Sequence, residues 1–250
     1  MKKNFVKYNL LTQIMMFLSL MLSIPAMAFA SGNAVHLDDA NVDVHDHESL
    51  QRGAKWYMNY CMGCHSLSYS RYNRVALDIG LSDKLMKENL IFTMDDEGEQ
   101  TKVGMLMENA MPKKDSAAWF GTPPPDLSLV ARSRGSDWIY TYLRSFYRDP
   151  ARPFGANNTA FPNVGMPHVL WELQGWQEKD DHGKLTPAEN GNMSKSEYNA
   201  VVRDLTNFLT YVGEPAQLHR KSIGIWVMLF LGFFFVVAYL LKKEYWKDVH

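Results

Sequence analysis

The sequence predicts a mainly α-helical domain with long loops, followed by one C-terminal transmembrane helix. Apolar residues recur at helical intervals in three separate segments. Runs of alternating apolar and polar residues, the mark of half-buried strands, are absent, as are internal repeats. A late stretch of nineteen residues, Ile223 to Leu241, carries no charge.

The first helical segment covers residues 49 to 62, with Leu50, Ala54, Tyr57, Met58 and Cys61 on one face and Ser49 as its expected N-cap. A second is expected from Asp137 to Tyr147, turning Trp138, Ile139, Tyr142, Leu143 and Phe146 inward. The third opens on Ser194 with Glu197 three residues later, a capping box. Its apolar face runs from Tyr198 through Val201, Leu205 and Phe208 to Val212, and Gly213 and Pro215 close it. Between these segments, residues 112 to 135 and 149 to 193 are rich in Pro and Gly and read as loops. Loops of that length are uncommon in a compact domain unless something else orders them. Residues 169 to 193 carry no pattern that assigns them a role.

Both ends carry membrane signals. Lys2, Lys3 and Lys7, an apolar run from Leu10 to Ile24, and Ala28-Phe29-Ala30 form the three-part pattern of a secretory signal. Residues 1–30 are therefore expected to be cleaved, leaving an exported domain over 31–218. The uncharged stretch is long enough to span a bilayer, whose core needs roughly 20 apolar residues. An anchor helix is expected over 219–242, with residues 243–250 as a cytoplasmic tail. Flanking charges do not choose the orientation, since His219, Arg220 and Lys221 precede the stretch and Lys242 and Lys243 follow it. The signal does, by exporting what lies between.

The formal charge is −1, and loss of the three signal lysines leaves it near −4. An acidic exported domain argues against nucleic acid and for a basic partner. The acidic run Asp95, Asp96, Glu97 and Glu99 reads as a solvated loop that could also steer such a partner.

The cysteines decide the chemistry. There are two, in the run Cys61-Met62-Gly63-Cys64-His65. Cys-x-x-Cys followed directly by His is the pattern of c-type haem attachment. On one helical turn both sulfurs can reach the two vinyl groups of a haem and form thioethers, and the next residue presents an imidazole to the iron. A thioredoxin-like redox pair would want a βαβ setting, which this region lacks. A structural zinc site would want two more ligands at matched spacing. His36, His45 and His47 lie upstream but read as a solvated, mobile N-terminal stretch. A haem peroxidase would need an open iron face or a second haem, and the motif occurs once.

One haem c thus becomes the expected cofactor, and its apolar faces account for the long loops. A pure electron carrier fills both axial positions, and a methionine sulfur opposite the histidine raises the potential. Of fifteen methionines, Met111 and Met166 each precede a proline. Spacing does not choose between them.

Ser49-Leu50-Gln51-Arg52-Gly53-Ala54 before the motif, Arg71-Tyr72-Asn73 after it, Pro123-Pro124-Pro125-Asp126-Leu127-Ser128 and Arg132-Ser133-Arg134 together resemble the cytochrome c1 family. So do Phe161-Pro162-Asn163-Val164-Gly165-Met166-Pro167 and Glu214-Pro215 before a single anchor. The markers come in the family's order and span nearly the whole mature chain. The resemblance implies a cytochrome c-like helical domain around one covalent haem. It implies Cys61 and Cys64 as attachment points, His65 and Met166 as axial ligands, with Met111 in a loop. Arg134 would pair with a haem propionate, as a guanidinium suits a carboxylate, and Pro124 and Pro125 would cover the haem edge.

The implied function is that of the haem subunit of the cytochrome bc1 complex, the quinol:cytochrome c oxidoreductase. The chain would take an electron from the Rieske iron–sulfur protein and pass it to a soluble or tethered cytochrome c, making no bond itself. It would sit beside cytochrome b in the bacterial inner membrane, single-pass, with the haem domain periplasmic. By family analogy alone the complex would be dimeric. The alternative is a stand-alone membrane cytochrome serving a terminal oxidase or reductase.

Overall fold

The computed structural model describes residues 35–95 and 97–247. The expected signal peptide, Asp96 and the last three residues of the tail lie outside the described residues.

Helix α1 spans His47–Tyr60 and α8 spans Lys195–Gly213, and the two pack face to face. Leu50, Ala54 and Tyr57 of α1 and Val202, Leu205 and Phe208 of α8 are fully buried. Burying each of the larger side chains contributes about 1.5–3 kcal/mol. The helices approach closely because Gly53 has no side chain: a Cβ there would fall on the Asp204 carbonyl oxygen and the Phe208 Cβ. A polar tie crosses the same contact. The Ser49 hydroxyl donates to Asp204 Oδ1 at 2.7 Å, and Arg52 Nε donates to Asp204 Oδ2 at 2.6 Å.

That tie corrects one expectation. The N-cap of α1 is Asp46, whose carboxylate accepts the Ser49 amide at 3.0 Å, rather than Ser49 itself. Asp46 adopts the extended backbone an N-cap requires, while the Ser49 hydroxyl is engaged by α8. The capping box at Ser194 and Glu197 is present as expected.

Short helices α2 (Tyr72–Asp78) and α3 (Asp83–Leu90) flank the pair, and Tyr211 of α8 donates to Asp78 Oδ2 at 2.8 Å. The expected loop 112–135 holds two helices, α4 (Lys113–Phe120) and α5 (Val130–Arg134). Helix α6 (Ser136–Arg144) packs on α8. It stops earlier than the expected Tyr147, because Phe146–Arg148 leave it as a strand. The segment from Asp38 lies along α6: the Asp38 amide donates to Thr141 Oγ1 at 2.8 Å, and the Ala40 amide donates to Asp137 Oδ1 at 3.0 Å. His36, His45 and His47 are exposed as expected, but the backbone between them is tied down rather than loose.

Strands do occur, among the described residues as three separate antiparallel pairs: β1 (Leu67–Arg71) with β2 (Leu106–Met107), β3 (Phe146–Arg148) with β4 (Ala156–Asn158), and β5 (Gly175–Lys179) with β6 (Leu185–Asn190). β3 and β4 are three residues each, too short for alternation to be read. β6 is exposed along nearly its whole length, so no apolar face marks it. A one-turn helix, α7 (Trp171–Gln174), precedes the last hairpin.

The β3–β4 pair holds the loop that follows. Asn158 Nδ2 donates to the Tyr142 carbonyl at 2.8 Å, and its Oδ1 accepts the Ala160 and Phe161 amides at 2.8 and 3.1 Å. Asn157 Oδ1 accepts the Asn163 amide at 2.8 Å, and Arg152 Nη2 donates to the Asn163 carbonyl at 2.9 Å.

The last helix, α9, spans Gln217–Tyr245, is 29 residues long and has no buried residue. At 1.5 Å per residue it is about 43 Å long, enough to cross a hydrocarbon core of about 30 Å. It begins and ends outside the uncharged stretch.

Two substitutions test this frame in the full chain. Gly53→Ala should destabilise the domain by at least about 1–3 kcal/mol, since backbone on α8 blocks the added methyl, read as a lower denaturant midpoint. Asn158→Ala takes the acceptor from the Ala160 and Phe161 amides and leaves the Tyr142 carbonyl with the Ser145 amide alone, and should cost about 1–3 kcal/mol. Hydrogen exchange should show its largest loss of protection at residues 158–164.

Candidate haem site

The Cys-x-x-Cys-His run is the frayed end of α1. Cys61 caps the helix with its amide bonded to the Tyr57 carbonyl, and the His65 amide closes a turn back to the Cys61 carbonyl at 2.8 Å. The Tyr57 hydroxyl donates to the His65 carbonyl from inside the core. Cys61 is buried and Cys64 partly so. Burial, with Cys64 nearby, pushes the Cys61 thiol up to about 12. A thiolate metal site is disfavoured by such surroundings, whereas a neutral thiol or thioether fits them. Among the described residues no three His, Cys, Asp or Glu side chains cluster as metal ligands. The strand following the motif pairs antiparallel, so no βαβ unit forms here either.

His65 Nδ1 lies 2.7 Å from the Pro125 carbonyl oxygen. A carbonyl only accepts, so Nδ1 carries the proton and Nε2 keeps a free lone pair. This is how a protein fixes the tautomer and ring plane of a metal-binding histidine. Burial lowers the His65 pKa against the opposing pull of that bond and of Asp126, favouring the neutral imidazole. Pro125 is pinned in turn. Asp126 accepts the Ser68 and Ser128 amides, each at 2.8 Å, and the Leu127 amide donates to the Ser66 carbonyl at 3.0 Å. Burial raises the Asp126 pKa, but the bonds from Ser128 and Ser68 outweigh it and hold the carboxylate below its ordinary value.

Cys61, Cys64 and His65 open onto a cavity of about 600 Å³ whose walls are mostly apolar. Pro124, Pro125, Arg134 and Met166 line it too. Helices α1, α5, α6 and α8, the proline loop and the 161–167 loop all contribute wall residues. Met111 lines a different, more polar cavity of about 470 Å³ that shares Cys64 and Pro123 to Asp126 with the first. The residues present fit a haem: two thiols and an imidazole on one wall, a thioether and a guanidinium among the others, within the size range of cofactor sites.

Arg134 ends α5 and lies over the Trp138 ring at 5.1 Å and the Phe161 ring at 5.8 Å. No carboxylate pairs with it among the described residues. Behind the 161–167 loop, His168 is stacked on Phe146 at 4.9 Å and held neutral by burial, its pKa lowered to about 4. The acidic run is a separate turn in which Asp95 Oδ1 accepts the Glu99 amide at 2.9 Å, and none of its described residues lines either cavity.

Several wall and support residues escaped the sequence reading. Trp138 and Tyr142 were expected inside, but as core; both face the cavity. Arg152, Asn157 and Asn158 support the 161–167 loop, and their only sequence signal was a polar run within a segment taken as loop.

Comparison with known proteins supplies the context. The sequence model of the Cytochrome C1 family matches residues 38–249. Cytochrome c1 of Allochromatium vinosum is 53% identical over 237 residues, covering 90% of this chain and 95% of the relative. The mitochondrial cytochrome c1 heme protein of Neurospora crassa is 32% identical over 222 residues, 80% of this chain and 62% of the relative. A Nitrosomonas europaea protein named ammonia monooxygenase gamma subunit is 49% identical over 227 residues, 90% of this chain and 94% of the relative. A family match running from the N-terminal arm through the last helix, joined by near-full-length likeness to a bacterial cytochrome c1, places this haem protein in the cytochrome c1 family.

Proposed function

We propose that the chain is the electron-transfer subunit of a quinol:cytochrome c oxidoreductase, the cytochrome bc1 complex. It accepts one electron at a time from a Rieske iron–sulfur protein and passes it to a periplasmic cytochrome c. The observation that carries this reading is the single cavity onto which Cys61, Cys64, His65 and Met166 open together.

In this reading Cys61 and Cys64 would hold the haem through thioethers, and His65 Nε2 and the Met166 sulfur would ligate its iron. The haem supplies a one-electron ferric/ferrous couple when bound. The chain's own residues bind it, orient it and keep it dry. Pro125 and Asp126 lock the imidazole, so little rearranges when charge changes. Arg134 pairs with a propionate, a role supported by its place on the wall and its lack of a carboxylate partner among the described residues. Pro124 and Pro125 form a rigid edge. Met111 belongs to the neighbouring polar cavity, which favours Met166 as the ligand.

Residues 1–30 act as a cleaved signal, residues 31–218 are periplasmic, and residues 219–242 anchor the chain beside cytochrome b with 243–250 in the cytoplasm. The complex is dimeric, by analogy with the family. The relative named for ammonia oxidation raises an oxygen-activating role, but a histidine and a methionine on the walls of one cavity support a carrier with both axial positions filled.

The test is the spectrum and mass of the purified full-length protein. Processed polypeptide should carry the mass of one haem, absent from a Cys61→Ala, Cys64→Ala double variant. Ferric wild type should show the weak sulfur-to-iron band. Met166→Ala should abolish it, and Met111→Ala should keep it; the reverse pattern overturns the ligand assignment. Copurification with a copper oxidase, without cytochrome b and a Rieske protein, overturns the assignment to the complex.

A further inference from the structure

Tyr142 donates its hydroxyl to the Met166 sulfur at 3.3 Å, its one side-chain hydrogen bond among the described residues. The donor is held from three sides. Its ring stacks on Trp138 with centroids 4.8 Å apart and planes 10° from parallel, and it meets Phe146 edge-on at 5.2 Å. Its backbone carbonyl accepts Asn158 Nδ2, the same side chain that gathers the start of the 161–167 loop. Donor and acceptor therefore hang on one asparagine, and the pair is set by the fold rather than by chance rotamers. A phenol hydroxyl carries one proton to donate, and a thioether sulfur can accept it.

A thioether sulfur has two lone pairs. On the reading that Met166 is the sixth ligand, on which this inference rests, one lone pair serves the iron and the other is free to accept a proton donor. A hydrogen bond on that second pair draws density from the sulfur. A weaker donor stabilises electron-poor ferric iron less than ferrous iron, so the potential rises. We infer that Tyr142 is a positioning residue that orients the Met166 sulfur and raises the midpoint potential of the bound haem through its hydroxyl. The reduction adds one electron, and Tyr142 makes and breaks no covalent bond in it.

The experiment is an equilibrium redox titration of the haem-loaded, full-length protein, followed by its ferric spectrum. Tyr142→Phe keeps the ring on Trp138 and Phe146 and removes only the hydroxyl. It should lower the equilibrium constant for reduction about threefold to tenfold, the span of one net hydrogen bond, a tenfold change being about 59 mV for one electron. The sulfur-to-iron band should persist at a shifted energy. In a Met166→His background, where no sulfur remains to accept, the same change should leave the potential unmoved. An unchanged potential and band in Tyr142→Phe overturns the inference. So does an equal shift in both backgrounds, which would mark a packing effect. If instead Met166→Ala keeps the band, the ligand reading has failed and this inference falls with it, a result distinct from the other two.

Discussion

Helix α1 can deliver Cys61, Cys64 and His65 to the cavity wall because its opposite face is locked onto α8. The lock is steric and electrostatic at once. Gly53 lets the backbones close, and the Asp204 carboxylate gathers Ser49 and Arg52 at that point of closest approach. Helix α6 packs on the same α8, so the wall bearing the motif and the wall bearing Trp138 and Tyr142 share one reference element. A rotation of α1 about its axis would move both thiols and the imidazole together, and Gly53 forbids it.

Much of the remaining wall is loop, and loops hold a shape only where their backbone groups are satisfied. Here each has its own polar clasp. The proline loop is held by Asp126 and by the Leu127 amide, and the 161–167 loop by Asn157, Asn158 and Arg152. These clasps put unlike donors around one apolar space: an imidazole fixed by a carbonyl, a thioether beneath a phenol, and a guanidinium spread over aromatic rings. For an electron-transfer haem subunit, this rigidity is the functional property. An electron carrier works fastest when its surroundings differ least between the two charge states, and His65, Met166 and Arg134 are each braced by a second group.

Charge is distributed to match. The cavity walls are mostly apolar, and its neighbours are held in fixed protonation states: Asp126 ionised by its hydrogen bonds, Tyr142 and His168 neutral by burial. The described residues of the acidic run, Asp95, Glu97 and Glu99, line neither cavity.

The sequence by itself determined what is written in contiguous residues. The attachment motif, the capping box at Ser194, the apolar faces of the helices and the late uncharged stretch are local patterns whose spacing encodes their chemistry; the structure contains the capping box, the helices and the long apolar last helix, and sets the motif on a cavity wall. The cap at Asp46 was misread as Ser49 because two residues three apart both suit the role, and only the position of Asp204, far along the chain, separates them. The hairpins were invisible because strands of three residues, or strands exposed on both faces, have no period to read. Which methionine shares a cavity with His65, which carbonyl fixes its tautomer and which phenol meets the Met166 sulfur were decided by tertiary structure alone. Each joins residues 24 to 101 positions apart, and no local preference can specify a contact whose two halves meet only after α1 and α6 have docked on α8.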